Sequence, residues 1–250
     1  MVRVNLKECF SGLSSNYAKY RPSYPKELFH YLASLSSEHT LAWDCATGNG
    51  QAAVMLSSFF QQVIATDISP RQIDLVTLKP NIDYRVLPAE KTNLSPASVD
   101  LVTVAQSLYY LQLNEFYEEA RRVLKPNGVL AAWCYGLPVV SPSIDALLHY
   151  LHFEVLGPFW PPERKAVDDG LQTIFFPLQR LIPPHFSIKL QWDFAYFMGY
   201  LKSWMAVPLY QKKFNKDPLS LVAEPLLAAW GTATTRKEIH WALALLVGQF

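Results

Sequence analysis

Cysteine, glycine and unbalanced charge are all scarce in this chain of 250 residues. The three cysteines, Cys9, Cys45 and Cys134, are far apart and form no CxxC pair. That excludes a disulfide framework and points to reduced thiols in a cytosolic protein. Against 22 basic side chains stand 21 acidic ones, a net charge of +1, so no global field is tuned to nucleic acid or to an anionic membrane. No apolar run approaches the ~18 residues of a membrane span. The N-terminal MVRVNLKECF lacks the apolar core of a signal peptide. The expectation is a soluble, cytoplasmic protein, monomer or homodimer, with no nucleic-acid or membrane partner.

What is present is enough for a core: half of the residues (50%) are apolar. Between 40 and about 135, short apolar runs alternate with helical patterns. The strands read as TLAWD (40–44), QVIAT (62–66), IDYRV (82–86), DLVTVA (100–105) and VLAAW (129–133). The last two are nearly all apolar, as strands covered on both faces must be. Helical patterns fall at 50–60, 70–77 and 114–124; the third has Asn114 as N-cap, Phe116, Ala120 and Val123 on one face, and a stop at KPNG. Repeated β-α-β units of this length predict an α/β fold with a parallel sheet. Residues 136–184 are rich in proline and aromatics, and 185–250 read as a strand, helices and a final strand at HWALALLV.

Only ten glycines occur, yet Gly48 and Gly50 sit together in ATGNG, just after the first strand and before a helix. Ligands of open α/β sheets bind at such a place, and glycine lets them approach the backbone near a helix N-terminus. Asp67, at the end of the second strand, can accept two hydrogen bonds from a ribose diol. GNGQAA also satisfies the loose dinucleotide pattern G-x-G-x-x-A. Asp44 separates the two readings. A carboxylate repels a pyrophosphate and suits an ammonium, which favours S-adenosylmethionine over a nicotinamide dinucleotide.

These residues resemble the class I S-adenosylmethionine-dependent methyltransferases, in the branch like trans-aconitate methyltransferase. WDCATGNGQAA is similar to the family's first motif, with Ala46 where its first glycine is usual. ATDIS resembles the second, which implies Asp67 on the ribose hydroxyls and Ile68 on the adenine. LPAE implies Ala89 and Glu90 beside the adenine. VDLVTVAQSLYYL resembles the fourth strand and its exit, with Gln106 near the methionine moiety. NYAKYRPSYP resembles the branch's lid, which implies Tyr17 and Arg21 at the methionine end. Asp44, Gly48 and Gly50 complete the implied cofactor set. The implied fold is a Rossmann-like, doubly wound, seven-stranded sheet, mostly parallel with an antiparallel last strand. A single domain, 1–250, would then comprise a helical lid (1–39), a cofactor core (40–135), a C-terminal substrate-cap insertion (136–184) and closing elements (185–250).

One departure bears on the acceptor. The branch commonly reads Ala-Gln-Ala-Leu-His-Trp at the fourth-strand exit, whereas this chain has Tyr109 and Tyr110 in place of histidine and tryptophan. Tyr109 and His149 are the candidate acid–base residues, with His152 a further guess. Tyr110, Trp133, Tyr135 and Trp160, with Tyr109, are the expected walls of an apolar acceptor pocket. Asp145, His149 and His152 fall at i, i+4 and i+7, but the wet edge of a helix is preferred to a metal site, and no metal is expected. The expected function is methyl transfer to a small molecule, giving S-adenosylhomocysteine. A carboxylic acid acceptor, with Arg21 and Arg164 as carboxylate partners, leads a hydroxyl or phenol. A binding protein without catalysis and an NAD(P)-dependent oxidoreductase are the runners-up.

Overall fold

The computed structural model describes residues 20–250, so Cys9, Tyr17 and the rest of 1–19 of the expected lid lie outside the described residues. Contacts divide the chain into two compact units. The first holds 23–135, 165–186 and 243–250; the second holds 136–164, 187–242 and, of its described N-terminal part, 20–22. The segment 136–184 is thus shared between the units.

In the first unit five parallel strands follow one another: β1 (Leu41–Cys45), β2 (Gln62–Asp67), β3 (Ile82–Val86), β4 (Val99–Ala105) and β5 (Leu124–Tyr135). Around them lie α1 (Lys26–Ser34), α2 (Gln51–Leu56), α3 (Pro70–Ile73) and α4 (Leu113–Val123). Successive strand residues point to opposite faces. Trp43, Val102, Val104, Leu130 and Cys134 therefore join Phe116 and Ala120 of α4 in one core. Ala42, Val63, Ala65 and Leu101 join Leu28, Phe29 and Leu32 of α1 and Ala52, Ala53 and Leu56 of α2 in the other.

Four boundaries differ from the sequence pattern. The helices expected at 50–60 and 70–77 stop at Leu56 and Ile73. Asn114 is not an N-cap: α4 starts at Leu113, and Glu90 Oε1 already accepts from the Gln112 N–H at 3.1 Å, fixing the chain's entry. β5 extends back through KPNG, which the pairing with β4 accommodates as a shift of register between Val99 and Leu101.

The remaining strands are β6 (Gln179–Arg180), β7 (Ser187–Trp192) and β8 (Lys237–Gln249). The order is β3-β2-β1-β4-β5-β8-β6, with β8 antiparallel to β5 and β7 paired to the N-terminal half of β8. Eight strands replace the expected seven because of the two-residue edge strand β6. The direction of winding reverses between β1 and β4, which is where an open α/β sheet receives its ligand.

The second unit contains α5 (Pro142–His149), which runs on as a π-helical turn, Tyr150–Val155. After α6 (Lys165–Asp168), which belongs to the first unit, come α7 (Phe194–Lys202), α8 (Ala206–Phe214) and α9 (Ala223–Trp230). Its core is aromatic. Trp241 packs on Trp192 and Tyr200 with ring centres 5.1 and 5.6 Å away, and Tyr200 on Trp204 at 6.0 Å. Trp192 and Trp204 are both buried in this core. Gly199 is needed for packing, since a Cβ there would lie 2.4 Å from the Tyr20 ring. No described helix is long and apolar enough to cross a membrane.

Candidate functional site

The turn after β1 alternates its handedness. Ala46, Gly48 and Gly50 all have positive φ, at 53°, 58° and 84°. The loop is tied to β2: Thr47 N–H donates to Thr66 O at 2.9 Å, and Gly48 N–H to Asp67 Oδ2 at 2.9 Å. Asp67 Oδ1 accepts in turn from Ser69 N–H at 2.8 Å. Burial pushes the Asp67 carboxyl above its ordinary range, against the pull of these amides.

The two glycines serve different ends. A Cβ on Gly48 would meet nothing within 4 Å, so this position faces open space. A Cβ on Gly50 would lie 2.7 Å from Tyr84 Oη. Gly50 therefore clears room for the Tyr84 phenol, which donates to Thr77 O at 3.1 Å. Ala46 holds a left-handed conformation that glycine adopts at less cost.

Asp44 is also placed differently from the expectation of a direct ammonium contact. Its carboxyl group is completely buried, accepting from the hydroxyls of Thr47 and Thr103. Burial pushes it up to about 6, opposed by those hydroxyls. Among the described residues no cation pairs with it. The side chain braces the turn from beneath, and its field, added to that of Asp67, disfavours a pyrophosphate.

Beside the turn, Ile68 exposes 56% of its surface while Ala89 is buried. Glu90 is committed to the start of α4. At the exit of β4, Gln106 has φ 59°, and its N–H donates to Trp133 O at 2.8 Å. Its side-chain Nε2 is buried without a hydrogen-bond partner among the described residues, and so is Trp133 Nε1. A left-handed backbone residue and two buried orphan donors thus coincide at this exit. Tyr109 and Tyr110 follow in a 3-10 turn, ring centres 4.4 Å apart, with Tyr109 packed into the core. Trp133 is not an open wall: it is buried against Tyr24 and Phe29, with ring centres 5.4 and 6.0 Å away. Tyr135 is buried as well, 6.4 Å from Tyr24.

The other expected residues lie in the second unit. Arg21 Nη2 donates to Ser203 O at 3.2 Å and its guanidinium lies over Tyr200. Trp160 Nε1 donates to His152 O at 3.2 Å. Asp145 Oδ1 accepts from the N–H groups of Val140 and Ser141, holding the start of α5. The helix passes into a π-helical turn at Tyr150, and the two histidines differ in burial: His152 is buried against Trp160 and Trp204, whereas His149 is exposed, with Phe153 packed on both. No group of three or more metal-ligating side chains occurs among the described residues. Cys45 and Cys134 are buried, and burial pushes the Cys45 thiol up, away from nucleophilic use.

The methyltransferase-domain family profile matches residues 43–132. A Dictyostelium discoideum protein named as a methyltransferase is 37% identical over 227 residues, covering 89% of this chain and 86% of its own. A solved structure from Anaeromyxobacter dehalogenans, described as a type II methyltransferase, is 39% identical, with a TM-score of 0.86 over 92% of this chain and 98% of its own. The chain belongs to the class I S-adenosylmethionine-dependent methyltransferases.

That family assignment overturns the oxidoreductase alternative. A Saccharomyces cerevisiae protein named as an S-adenosylmethionine-dependent methyltransferase matches more distantly, at 25% identity over 56% of this chain and 51% of its own. The residues of this methyltransferase fit its cofactor. Open space over Gly48, an exposed apolar Ile68, and carboxylates at Asp44 and Asp67 with no cation paired to either among the described residues suit a positively charged nucleoside. Thr47, Thr103 and Tyr84 escaped the sequence reading. The legible trace was Thr103, a hydroxyl inside the otherwise apolar run LVTVA.

Proposed function

We propose that this methyltransferase esterifies the carboxylate of a small organic acid. One observation carries the reading: at the β4–β5 exit two buried N–H donors, Gln106 Nε2 and Trp133 Nε1, lack acceptors among the described residues, and no histidine accompanies them. The described histidines of the first unit are His30 and His39, packed on Phe59 and Phe60, and the exposed His185; none belongs to the turn or the exit. Donors without a base suit an acceptor that is already ionised.

S-adenosylmethionine, when bound, supplies an activated methyl group on a sulfonium. Asp67 would accept from its ribose hydroxyls, Ile68, Ala89 and Glu90 would serve its adenine, and Gly48 would leave the backbone accessible to it. Gln106 and Trp133 would donate to carboxylate oxygens, those of the methionine moiety and of the acceptor. The buried residues around them, Tyr109 and Tyr135 among them, exclude water, so the protein's task is alignment rather than proton transfer.

The test pairs acids with their matching alcohols and phenols and reads S-adenosylhomocysteine release between about pH 6 and 9. A carboxylate is ionised throughout that range, so its rate is expected to be nearly flat. Turnover of phenols alone, climbing with pH, would replace this reading with hydroxyl methylation. No turnover across the panel, with the cofactor still bound, would favour a binding protein.

A further inference from the structure

The glycine turn is held at its middle and at its far end by different means. The middle is tied to β2 through Thr47 and Gly48, whose N–H groups donate to Thr66 O and Asp67 Oδ2. The far end is Gly50, the residue before α2. A helix start favours an extended Ser, Thr, Asp or Asn whose side chain caps the first N–H groups. Here the backbone is left-handed, with φ 84°, and no side chain caps the helix. What lies against Gly50 instead is the Tyr84 ring: a Cβ on Gly50 would come within 2.7 Å of Oη, 3.1 Å of Cε1 and 3.2 Å of Cζ. Tyr84 belongs to β3, the edge strand, where it pairs with Ala65 of β2. Its half-buried ring packs on the core that contains Ala52, Ala53 and Ala65. Its hydroxyl donates to Thr77 O, in the segment between α3 and β3. The ring is therefore anchored at its backbone and at its tip. Burial, reinforced by the Asp44 carboxylate, pushes the phenol up to about 12, so it stays a neutral donor at neutral pH.

We infer that Tyr84 is a positioning residue for S-adenosylmethionine, holding the α2 end of the glycine turn in its left-handed form before the cofactor arrives. A five-residue turn with three left-handed positions has other conformations open to it. Ordering it only when the cofactor binds would subtract from affinity, whereas a turn already held by the ring binds without that cost. Tyr84 also joins two parts of the candidate site. Through Gly50 it bears on the glycine turn, and through Thr77 on the segment that follows Asp67, Ile68 and α3. The inference rests on the cofactor of the family and not on the chemistry of the acceptor, so either can fail without the other.

The experiment uses the full chain and a cycle of variants: Tyr84→Leu, Gly50→Ala and the two together, with Tyr84→Phe as the conservative change. Leucine keeps apolar bulk over the core but lacks the atoms that reach Gly50. Calorimetry reads the affinity for S-adenosylmethionine and for S-adenosylhomocysteine. Hydrogen exchange of the cofactor-free protein reads the amides of 46–56 against those of β1, β2 and β4. Tyr84→Leu is expected to weaken both ligands about tenfold and to speed exchange in 46–56, leaving the three strands at the wild-type rate. Tyr84→Phe, which keeps the ring, should stay within about threefold of wild-type affinity. Gly50→Ala alone should also weaken binding about tenfold, because its methyl group displaces the ring. In the Tyr84→Leu background the same methyl enters vacated space, so its further cost should fall to about twofold or less. Wild-type affinity in Tyr84→Leu, or fully additive losses in the double variant, overturns the inference. Weaker binding accompanied by faster exchange across all three strands as well would mean that Tyr84 only stabilises the fold, and would overturn it too.

Discussion

Two buried aspartates at opposite ends of the same sheet have opposite surroundings. Asp100 begins β4 at the N-terminal edge, where its carboxylate accepts from the N–H groups of Thr40 and Leu41 and pairs with Lys125 Nζ at 2.7 Å. Lys125 also reaches Glu38 at 2.8 Å. Asp44 lies near the C-terminal edge of β1 and receives two hydroxyls and no cation among the described residues. One end has its charges matched and its amides satisfied. The other keeps an uncompensated carboxylate, three left-handed residues in a row of five and an orphaned glutamine amide. That second end leaves its electrostatics open to a cationic cofactor.

The sharpest way to break this contrast is at the open end. Gly48→Val fills the space over the turn, and S-adenosylmethionine binding by calorimetry is expected to fall more than about 100-fold. Valine at positive φ also costs about 1–3 kcal/mol of stability, so a thermal melt accompanies the titration. A folded variant that still binds would mean that no ligand touches the turn.

At the closed end the effect should move from binding to stability. Asp100→Ala leaves two amides and Lys125 without their shared acceptor and is expected to lower the unfolding free energy by about 3 kcal/mol. Urea melts check this, and the S-adenosylmethionine affinity of the folded variant should stay at the wild-type value. Loss of affinity as large as that of Gly48→Val would erase the distinction between the ends.

Asp44 gives the contrast a pH signature. Its carboxyl titrates at about 6 in the folded protein, above the ordinary value near 3.8 expected of the unfolded chain. Between those values the folded state holds a proton that the unfolded chain has released. Stability from this group is therefore full below about pH 4, falls as pH rises to about 6 and is flat above. Asp67 is shifted in the same direction; Glu119, held low by Arg122 and Thr92 despite its burial, acts in the opposite sense. Asp44→Asn should raise stability at pH 7.5 by about 2 kcal/mol, flatten the profile and weaken cofactor binding. Urea midpoints at pH 4.0 and 7.5 decide it. A variant no more stable than wild type at the higher pH would show that the carboxylate is compensated.

The smallest effect is expected at Ala46. Replacing it with glycine relieves a left-handed alanine and should stabilise the protein by about 0.5–1 kcal/mol, leaving cofactor affinity unchanged. A loss of stability would mean that the methyl group contributes packing that outweighs its strain.

Much of the first unit was readable in one dimension, because its physics is local. The runs LVTVA and VLAAW must be covered on both faces, so β-α-β order, parallel pairing and the position of the glycine turn follow from residues close together in the chain. The acidic residue closing β2 was legible for the same reason. Boundaries were less so. The entry of α4 depends on Glu90, 22 positions before the Gln112 it holds.

What only the tertiary structure decided is the use to which similar residues are put. Gly48 and Gly50 are alike in sequence, yet one faces open space and the other the ring of Tyr84, a residue brought in by β3. Asp44 and Asp100 are both acids in apolar runs, but a lysine from β5 reaches only Asp100. Trp133 belongs to the core because Tyr24 and Phe29 pack against it, and His152 is buried while His149 is exposed because Trp160 and Trp204 pack on His152. Local periodicity sets which face a side chain occupies. What it meets there is fixed by contacts between distant segments, and burial, charge and orphaned donors arise from those contacts.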